Sequence, residues 1–153
     1  MDENNPNYAK IMDYIDRNPL AVVGTIGADG TMHAAVVFIY RASHSTVCFI
    51  TKNSTQKYAN ITANPQVTLT SFNEKETSTL QASGRAFEAN DPKIIDYVMQ
   101  KITKSHVARA DWFPPVTKLR DGSNVIIGIE LTKARLAEYG GYGIGSDDMF
   151  IEL

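Results

Sequence analysis

Hydroxyl, amide and amine side chains gather in one short stretch of the sequence, residues 49–57. It reads FITKNSTQK, an apolar run followed by polar residues that could begin a helix. A helix N-terminus presents N–H groups without intrahelical acceptors and a partial positive charge, so it attracts anions. We interpret the stretch as an anion site, above all for a phosphate, to which lysines bring charge and hydroxyls bring donors: Thr51, Lys52, Ser54, Thr55 and Lys57. The alternative is that these residues only cap a solvated helix.

Other chemistry-bearing residues suggest no further site. His33, His44 and His106 lack the spacing and the neighbouring carboxylates of a metal centre, so we expect no metal. Cys48 lies in an apolar run and is expected to be a buried, inert thiol. The sequence has neither a defensible serine–histidine–acid arrangement nor a Walker-type loop. No catalytic side chain can therefore be named.

Composition and charge narrow the class of protein. The chain of 153 residues has a net charge of −2, and one cysteine. Its acidic pI near 5.9 argues against a nucleic-acid or membrane-surface partner, which needs a basic stripe. The acidic, polar start is unlike a secretory signal, and a lone cysteine suits a reducing compartment. We expect a cytoplasmic protein that binds neither nucleic acid nor membrane.

Strands joined by tight turns must position these residues. Runs rich in β-branched residues, bounded by turn residues, predict six strands, over 20–26, 32–40, 47–51, 67–72, 78–88 and 125–131. Helical spacing predicts three helices, over 6–18, from about 54 to 63, and over 92–104. Residues 105–121 are expected to form a short helix and a loop, and a mobile glycine-rich tail begins near residue 140. The whole chain, 1–153, is thus predicted to be one mainly β (α+β) domain, a small antiparallel barrel that is closed or nearly closed.

Two of the predicted strands are apolar on both faces. Residues 34–40 read AAVVFIY and residues 47–50 read VCFI, without the alternation of a sheet with one solvated face. One face can fill the barrel, so the other needs a cover. A second copy of the chain, or a flat ligand held by it, would provide that cover, which predicts a homodimer. Alternatively, the helices at 6–18 and 92–104 could cover it from within.

At this level of detail the chain resembles a known family. The hairpin LAVVGTIGADGTMHAAVVFIY, the segment CFITKNSTQKYANITANPQVTLT, the strand LQASGRAFE, and DWFPP before NVIIGIELT occur in its characteristic order. They resemble the pyridoxamine 5'-phosphate oxidase-like split β-barrels that bind flavin mononucleotide (FMN), particularly the general stress protein branch. The resemblance runs from about residue 20 to residue 131. It implies a six-stranded split barrel that holds FMN at the interface of a homodimer.

The resemblance also implies which residues hold the cofactor. The second strand would lie beside the flavin ring, the end of the third would contact it, and a hydroxyl–basic–lysine triplet, here Thr55-Gln56-Lys57, would bind the phosphate. Because glutamine replaces the usual basic residue, phosphate affinity would be lower or phosphate binding would depend more on Lys52. Trp112 would lie near the ring and the dimer interface, although it could equally be a core or interface anchor. The implied set is Ala35, Val36, Val37, Phe38, Ile50, Thr51, Lys52, Thr55, Gln56, Lys57 and Trp112.

Departures from the family pattern bear on the reaction. Pyridoxamine phosphate oxidases carry an arginine and a lysine where this chain has Ala35 and Tyr40, and their C-terminal arginine motif has no counterpart. Vitamin B6 oxidation is therefore not expected. The resemblance implies a flavin-dependent oxidoreductase with another small-molecule substrate or a nicotinamide donor. The alternatives are a non-catalytic flavin module in a stress response, or binding of a deazaflavin or a tetrapyrrole.

Overall fold

The computed structural model describes residues 5–108, 119–141 and 149–153, which form one sheet and three helices. The helices are α1 (Pro6–Arg17), α2 (Gln56–Ala63) and α3 (Pro92–Ala108). The strands are β1 (Leu20–Ile26), β2 (Met32–Phe38), β3 (Tyr40–Arg41), β4 (Thr46–Lys52), β5 (Gln66–Asn73), β6 (Ser78–Glu88), β7 (Asn124–Glu138) and β8 (Phe150–Glu152). The mainly β prediction with three helices is confirmed. No helix in this described part is long and apolar enough to cross a bilayer.

Local sequence signals set the boundaries of α1 as predicted. The Asn5 side chain accepts a hydrogen bond from the Asn7 N–H at 2.9 Å, and Pro6 occupies the first helical position, where its missing N–H costs nothing. The helix ends where the Asn18 N–H donates to the Tyr14 carbonyl at 2.9 Å. Its apolar side chains enter the main core.

The antiparallel sheet closes on itself except at one place. Its strand order is β2-β1-β5-β6-β7-β4-β3, with β8 added to β7. Only Ile39 separates β2 from β3, although they stand at opposite ends of this order. The sheet must therefore curl into a barrel that is closed through β3 and β4 and split open between β2 and β4. The interior is filled by apolar side chains such as Val23, Phe49, Leu80 and Ile129.

The structure extends the predicted strands at their C-terminal end. Residues 132–138 continue β7 beyond the predicted limit of 131, because they pair with the first half of β6. The register shifts between Ser83 and Gly84, as it does at a β-bulge, and a Cβ on Gly84 would lie 2.3 Å from the Glu130 carbonyl oxygen. β3 and β8 bring the described strands to eight, where six were expected.

The glycine-rich tail is only partly within the described residues. Residues 142–148 lie outside them, whereas Phe150–Glu152 return to the sheet as β8 and pair with β7. The sequence predicted an irregular tail from about residue 140 to the end, and this prediction is wrong for Phe150–Glu152.

The two apolar strands obtain their outer cover differently. In β4 the outward Cys48 lies beneath α3, in a buried cluster with Ala89, Val98, Ile102 and Ile126. For this strand the internal alternative is correct, so it gives no support to a dimer. In β2, burial alternates and the outward side chains are open, with Met32 85% and Val36 57% exposed.

Exposed apolar side chains of three neighbouring strands form one surface, which we call the apolar outer face. Register places Val22 of β1 opposite both Val36 of β2 and Thr70 of β5. The exposed apolar members are Leu20, Val22, Ile26, Met32, Val36 and Phe72. Exposed apolar patches of this kind are common at protein–protein interfaces.

Candidate functional site

The opening between β2 and β4 is bordered by backbone groups. The Ile39 N–H donates to the Pro19 carbonyl at 2.8 Å, and the Gly27 N–H donates to the Thr31 carbonyl at 2.9 Å. Because hydrogen bonding alternates along an antiparallel pair, the odd-numbered residues of β2 bond to β1. The backbone groups of Val36 and Phe38 are therefore directed away from β1, into the opening.

The same reasoning applies to β4. Its odd-numbered residues bond to β7, as shown by the 2.8 Å bond from the Leu131 N–H to the Ser45 carbonyl. Even-numbered Cys48 pairs with Tyr40 of β3. Beyond that pair, the backbone groups of Ile50 and Lys52 face the same opening. We call this opening the split; it is bordered by Val36 and Phe38 on one side and by Ile50 and Lys52 on the other.

Three predicted anchor residues meet where β4 leads into α2. Thr51 is 1% exposed, and its Oγ1 lies 3.1 Å from the Oγ1 of Thr55 and 3.3 Å from the Nζ of Lys57, which donates to it. Thr55 Oγ1 donates to the Lys52 carbonyl at 2.8 Å. The Thr51 hydroxyl is then left to donate to Thr55. We call this group, Thr51, Thr55 and Lys57, the anion cluster.

Local chain geometry accounts for the cluster. Thr51 is the last inward-facing residue of β4, and Thr55 is the N-cap of α2, although its side chain caps no helix N–H. Lys57 follows in the first turn, and helical side chains lean towards the N-terminus, which brings its amine back to Thr51. The first helix-type bonds run from the Tyr58 and Ala59 N–H groups to the Thr55 carbonyl. The N–H groups of Gln56 and Lys57 thus precede the helical ladder and point out of its start.

The electrostatics of the cluster favour an anion. Lys57 is half-buried, and this burial lowers the pKa of its amine from the ordinary value. A negative partner would offset part of the hydration that such a desolvated ammonium has lost. The cluster thus combines a lysine charge with a helix N-terminus, two features that attract anions.

Lys52 and Ser54 are directed elsewhere. The Lys52 Nζ donates to the Gly122 carbonyl at 3.1 Å, and the Ser54 Oγ donates to the Asp121 carbonyl at 2.8 Å. Both side chains therefore hold the loop that precedes β7. Gly122 has φ +84°, and a Cβ there would lie 2.5 Å from the Ser54 Oγ, so this close approach requires glycine.

Gln56 also lies outside the anion cluster. Its Nε2 donates to the Oδ1 of Asn60 at 2.8 Å, and the Nδ2 of Asn60 donates to the Oγ1 of Thr25 at 3.0 Å. Asn60 is only 3% exposed, so this chain of bonds ties α2 to β1. The triplet Thr55-Gln56-Lys57 is therefore divided, with two residues in the cluster and one outside it.

The remaining predicted residues occupy different sides of the split. The side chains of Ala35 and Val37 point into the barrel, and that of Val36 lies on the apolar outer face. Ile50 packs against the buried apolar residues around Cys48, beneath α3. Trp112 lies outside the described residues.

Sequence reasoning missed the residues that arrange the site from behind. The helical spacing of Gln56 and Asn60 was visible as an i, i+4 pair. Nothing in the sequence indicated that Thr25 would receive Asn60, or that Gly122 would receive Lys52, because these partners come from distant parts of the chain.

A sequence model of the pyridoxamine 5'-phosphate oxidase family matches residues 9–137. The matched range includes most of α1, all of α2 and α3, β1 to β6 and most of β7. No curated protein matches the chain.

Solved structures share the fold at low sequence identity. General Stress Protein 26 from Bacillus anthracis is 18% identical with a TM-score of 0.62, over 84% of this chain and 92% of that one. A pyridoxamine 5'-phosphate oxidase-related, FMN binding protein from Nostoc punctiforme is 12% identical with a TM-score of 0.64, over 99% and 98%. An F420 reductase is 20% identical with a TM-score of 0.59, over 80% and 93%.

Proposed function

Because this chain belongs to the pyridoxamine 5'-phosphate oxidase family, we propose that it binds FMN in the split and acts as a flavin-dependent oxidoreductase. The observation that carries the proposal is the anion cluster, in which Lys57 and two threonine hydroxyls converge at the start of α2. Flavin binding by the related protein from Nostoc punctiforme supports it as an analogy.

The anion cluster suits the phosphate end of FMN. Lys57 would supply an ammonium charge, and the first N–H groups of α2 would point at the phosphate oxygens. The Thr51 and Thr55 hydroxyls donate to Thr55 and to the Lys52 carbonyl, and they would turn to donate to the phosphate instead. A phosphate would replace the water that Lys57 has lost through burial.

The backbone that borders the split suits the ring. Val36 and Phe38 direct their N–H and C=O groups into the opening, as bond alternation along β2 requires. These groups would orient the flavin ring and adjust its redox potential by hydrogen bonds, while the flavin supplies the hydride-transfer chemistry. The protein's own part would be binding, orientation and exclusion of water.

The apolar outer face suits a second copy of the chain. β2 contributes to this face and also borders the split, so a partner seated on the face would lie beside the cofactor. We therefore propose a homodimer with FMN at the subunit interface. The support now comes from β2 and its neighbours alone, since α3 covers β4.

The substrate is proposed to differ from that of pyridoxamine phosphate oxidases. Ala35 and Tyr40 stand where the resemblance implies an arginine and a lysine, and Ala35 turns into the barrel. A nicotinamide or another small molecule is the proposed reaction partner.

A visible absorption spectrum of the purified protein tests the proposal. We expect flavin absorbance on purification or after soaking with FMN and gel filtration. A protein that stays colourless after soaking would contradict it, and the spectrum of a deazaflavin or a tetrapyrrole would redirect it. A gel-filtration mass measured on the same sample tests the dimer.

The second candidate function is a non-catalytic flavin module. The missing arginine and lysine at Ala35 and Tyr40 favour it, because they leave the described part of the split without an evident substrate anchor. Rapid reduction of the bound flavin by NADH or NADPH supports the oxidoreductase. A flavin that neither donor reduces at a useful rate supports the module.

A further inference from the structure

Resting on the proposed function, we infer that the anion cluster is matched to a singly charged phosphate, and that Gln56 determines this preference. The inference concerns the charge of the bound group rather than its presence. It follows from which side chains reach the cluster and which are held elsewhere.

The described residues give the cluster one cation. Lys57 is the residue among them whose ammonium group bonds to a cluster hydroxyl, at 3.3 Å. Lys52 lies next to Thr51 in sequence, but its ammonium group is bonded to the Gly122 carbonyl at 3.1 Å. Its charge therefore serves the loop before β7.

Gln56 occupies the position from which a second cation could reach the cluster. It lies between Thr55 and Lys57 in the first turn of α2, and its side chain is exposed. The amide is neutral, and it donates back along the helix to Asn60. Asn60 in turn is held by Thr25, so this orientation has a buried support.

Charge matching then decides which phosphate fits best. A phosphomonoester carries about −1.5 to −2 near neutral pH, because its second pKa is about 6. A phosphodiester carries −1. In a partly buried site, negative charge beyond that of the partner cation has lost hydration without gaining a partner. One lysine therefore suits a diester, or a monoester that has kept one proton.

The test compares three ligands at pH 8, where the phosphomonoester is doubly charged. The ligands are riboflavin, FMN and the methyl ester of FMN, each titrated into the apoprotein by fluorescence quenching. We expect the methyl ester to bind at least as tightly as FMN, and both to bind tighter than riboflavin. A further titration of FMN at pH 5.5 then separates a protonated monoester from a true diester requirement. Tighter FMN binding at pH 5.5, without the same change for the methyl ester, assigns the preference to charge.

Substitution of Gln56 tests its role. Gln56→Arg should tighten FMN binding about tenfold at pH 8, the effect of one added charge-assisted bond, and change methyl-ester binding by less than about threefold. Gln100→Arg adds the same charge on the exposed face of α3 and should change neither affinity. Both changes replace the amide that bonds to Asn60, so Gln56→Lys, with a more compact cation, is the second variant, and circular dichroism checks the fold of each.

Each outcome decides between the two claims. FMN binding that is measurably tighter than binding of its methyl ester to the unaltered protein at pH 8 would overturn the inference and leave the proposed function standing. Equal affinity of all three ligands would show that no phosphate is recognised, which overturns the inference and misplaces the anchor. Failure of all three to bind would overturn the proposed function as well.

Discussion

Lys57 illustrates how one side chain can be both a structural cost and a binding asset. Its amine is half-buried and donates to a hydroxyl, and no described carboxylate forms an ion pair with it. Such a residue is poorly explained by stability alone. An anion in the cluster would supply the missing partner.

Replacing Lys57 by alanine should weaken FMN binding by about 1–3 kcal/mol, the scale for losing a charged hydrogen-bond partner. Isothermal titration calorimetry measures the change. Lys10→Ala, on the exposed side of α1, is the matched control and should leave the affinity unchanged. Equal affinities of the two variants would show that the phosphate lies elsewhere.

The buried position of Lys57 also predicts a pH dependence of stability. Burial lowers the pKa of its amine, so between that value and the ordinary value of about 10.4 the unfolded chain binds more protons than the folded chain. The free energy of unfolding should therefore rise with pH through this window. Below it, both states are protonated and the folded state carries the full desolvation cost.

Urea unfolding of the unaltered apoprotein and of Lys57→Gln measures this effect. Tyr58, whose pKa is raised mainly by its hydrogen bond to Glu88, titrates in both proteins and cancels in the difference. The stability of the unaltered protein relative to the variant should increase from pH 8 to pH 10. A constant difference would show that Lys57 is as well solvated folded as unfolded.

The sequence predicted the three residues of the anion cluster, but it did not show that Lys52 and Gln56 lie outside the cluster. Residues 51, 55 and 57 come together because a strand end and a helix start fix their spacing locally. Lys52 and Gln56 lie in the same short stretch, so the sequence alone does not separate them from the cluster residues. They are drawn away by Gly122 and Asn60, and the partnership of Lys52 spans 70 residues. Such competition is decided by tertiary structure.

At the scale of elements, α3 does the work that sequence analysis assigned to a second subunit. Val98 and Ile102 of α3 close over Cys48 and Ile126 on the outer side of β4 and β7. Burial raises the pKa of the Cys48 thiol to about 11, so the thiol stays protonated and unreactive at neutral pH.

Removing part of this cover should expose the cysteine. Ile102→Ala should destabilise the fold by about 2–5 kcal/mol, the usual cost of a cavity of this kind, and speed the reaction of Cys48 with a thiol reagent at pH 8. Thr103→Ala, at an exposed position on the same helix, is the control. Labelling rates followed with Ellman's reagent check it. Rapid labelling of the unaltered protein would contradict the burial of Cys48.

Strands were predictable where their partners are close in sequence. The hairpins β1–β2 and β5–β6 have turn residues at short range, and their limits follow the sequence signals. The second half of β7 was missed because Thr132-Lys133 interrupts its apolar pattern, and only pairing with β6 keeps it extended. β8 was missed for the same reason, since its partner is that extension.

At the scale of the whole molecule, the apolar outer face is the feature that a monomer does not explain. It joins three strands that the chain covers with none of its described helices, in contrast to the outer side of β4. Of the two strands that the sequence predicted to need an outer cover, β2 has an uncovered apolar surface and β4 does not. The dimer itself stays a proposal.

Placing a charge at the centre of this face should separate the subunits. Val22→Asp puts a carboxylate among Val36 and its neighbours, so the dimer should dissociate while the barrel, whose interior is untouched, stays folded. Met99→Asp, at an exposed apolar position on α3, is the control and should stay dimeric. Sedimentation velocity measures the masses. An unaltered chain that sediments as a monomer would refute the dimer.

Ile39 is the lone residue that joins the two ends of the strand order, and its N–H is bonded to Pro19 of the neighbouring strand start. A molecule bound in the split would therefore contact β2 and β4, two strands that are close together in the same chain. Binding of such a ligand would make the barrel more rigid at the split. The ligand would bridge β2 and β4 directly, where the described backbone connects them through Ile39 and β3.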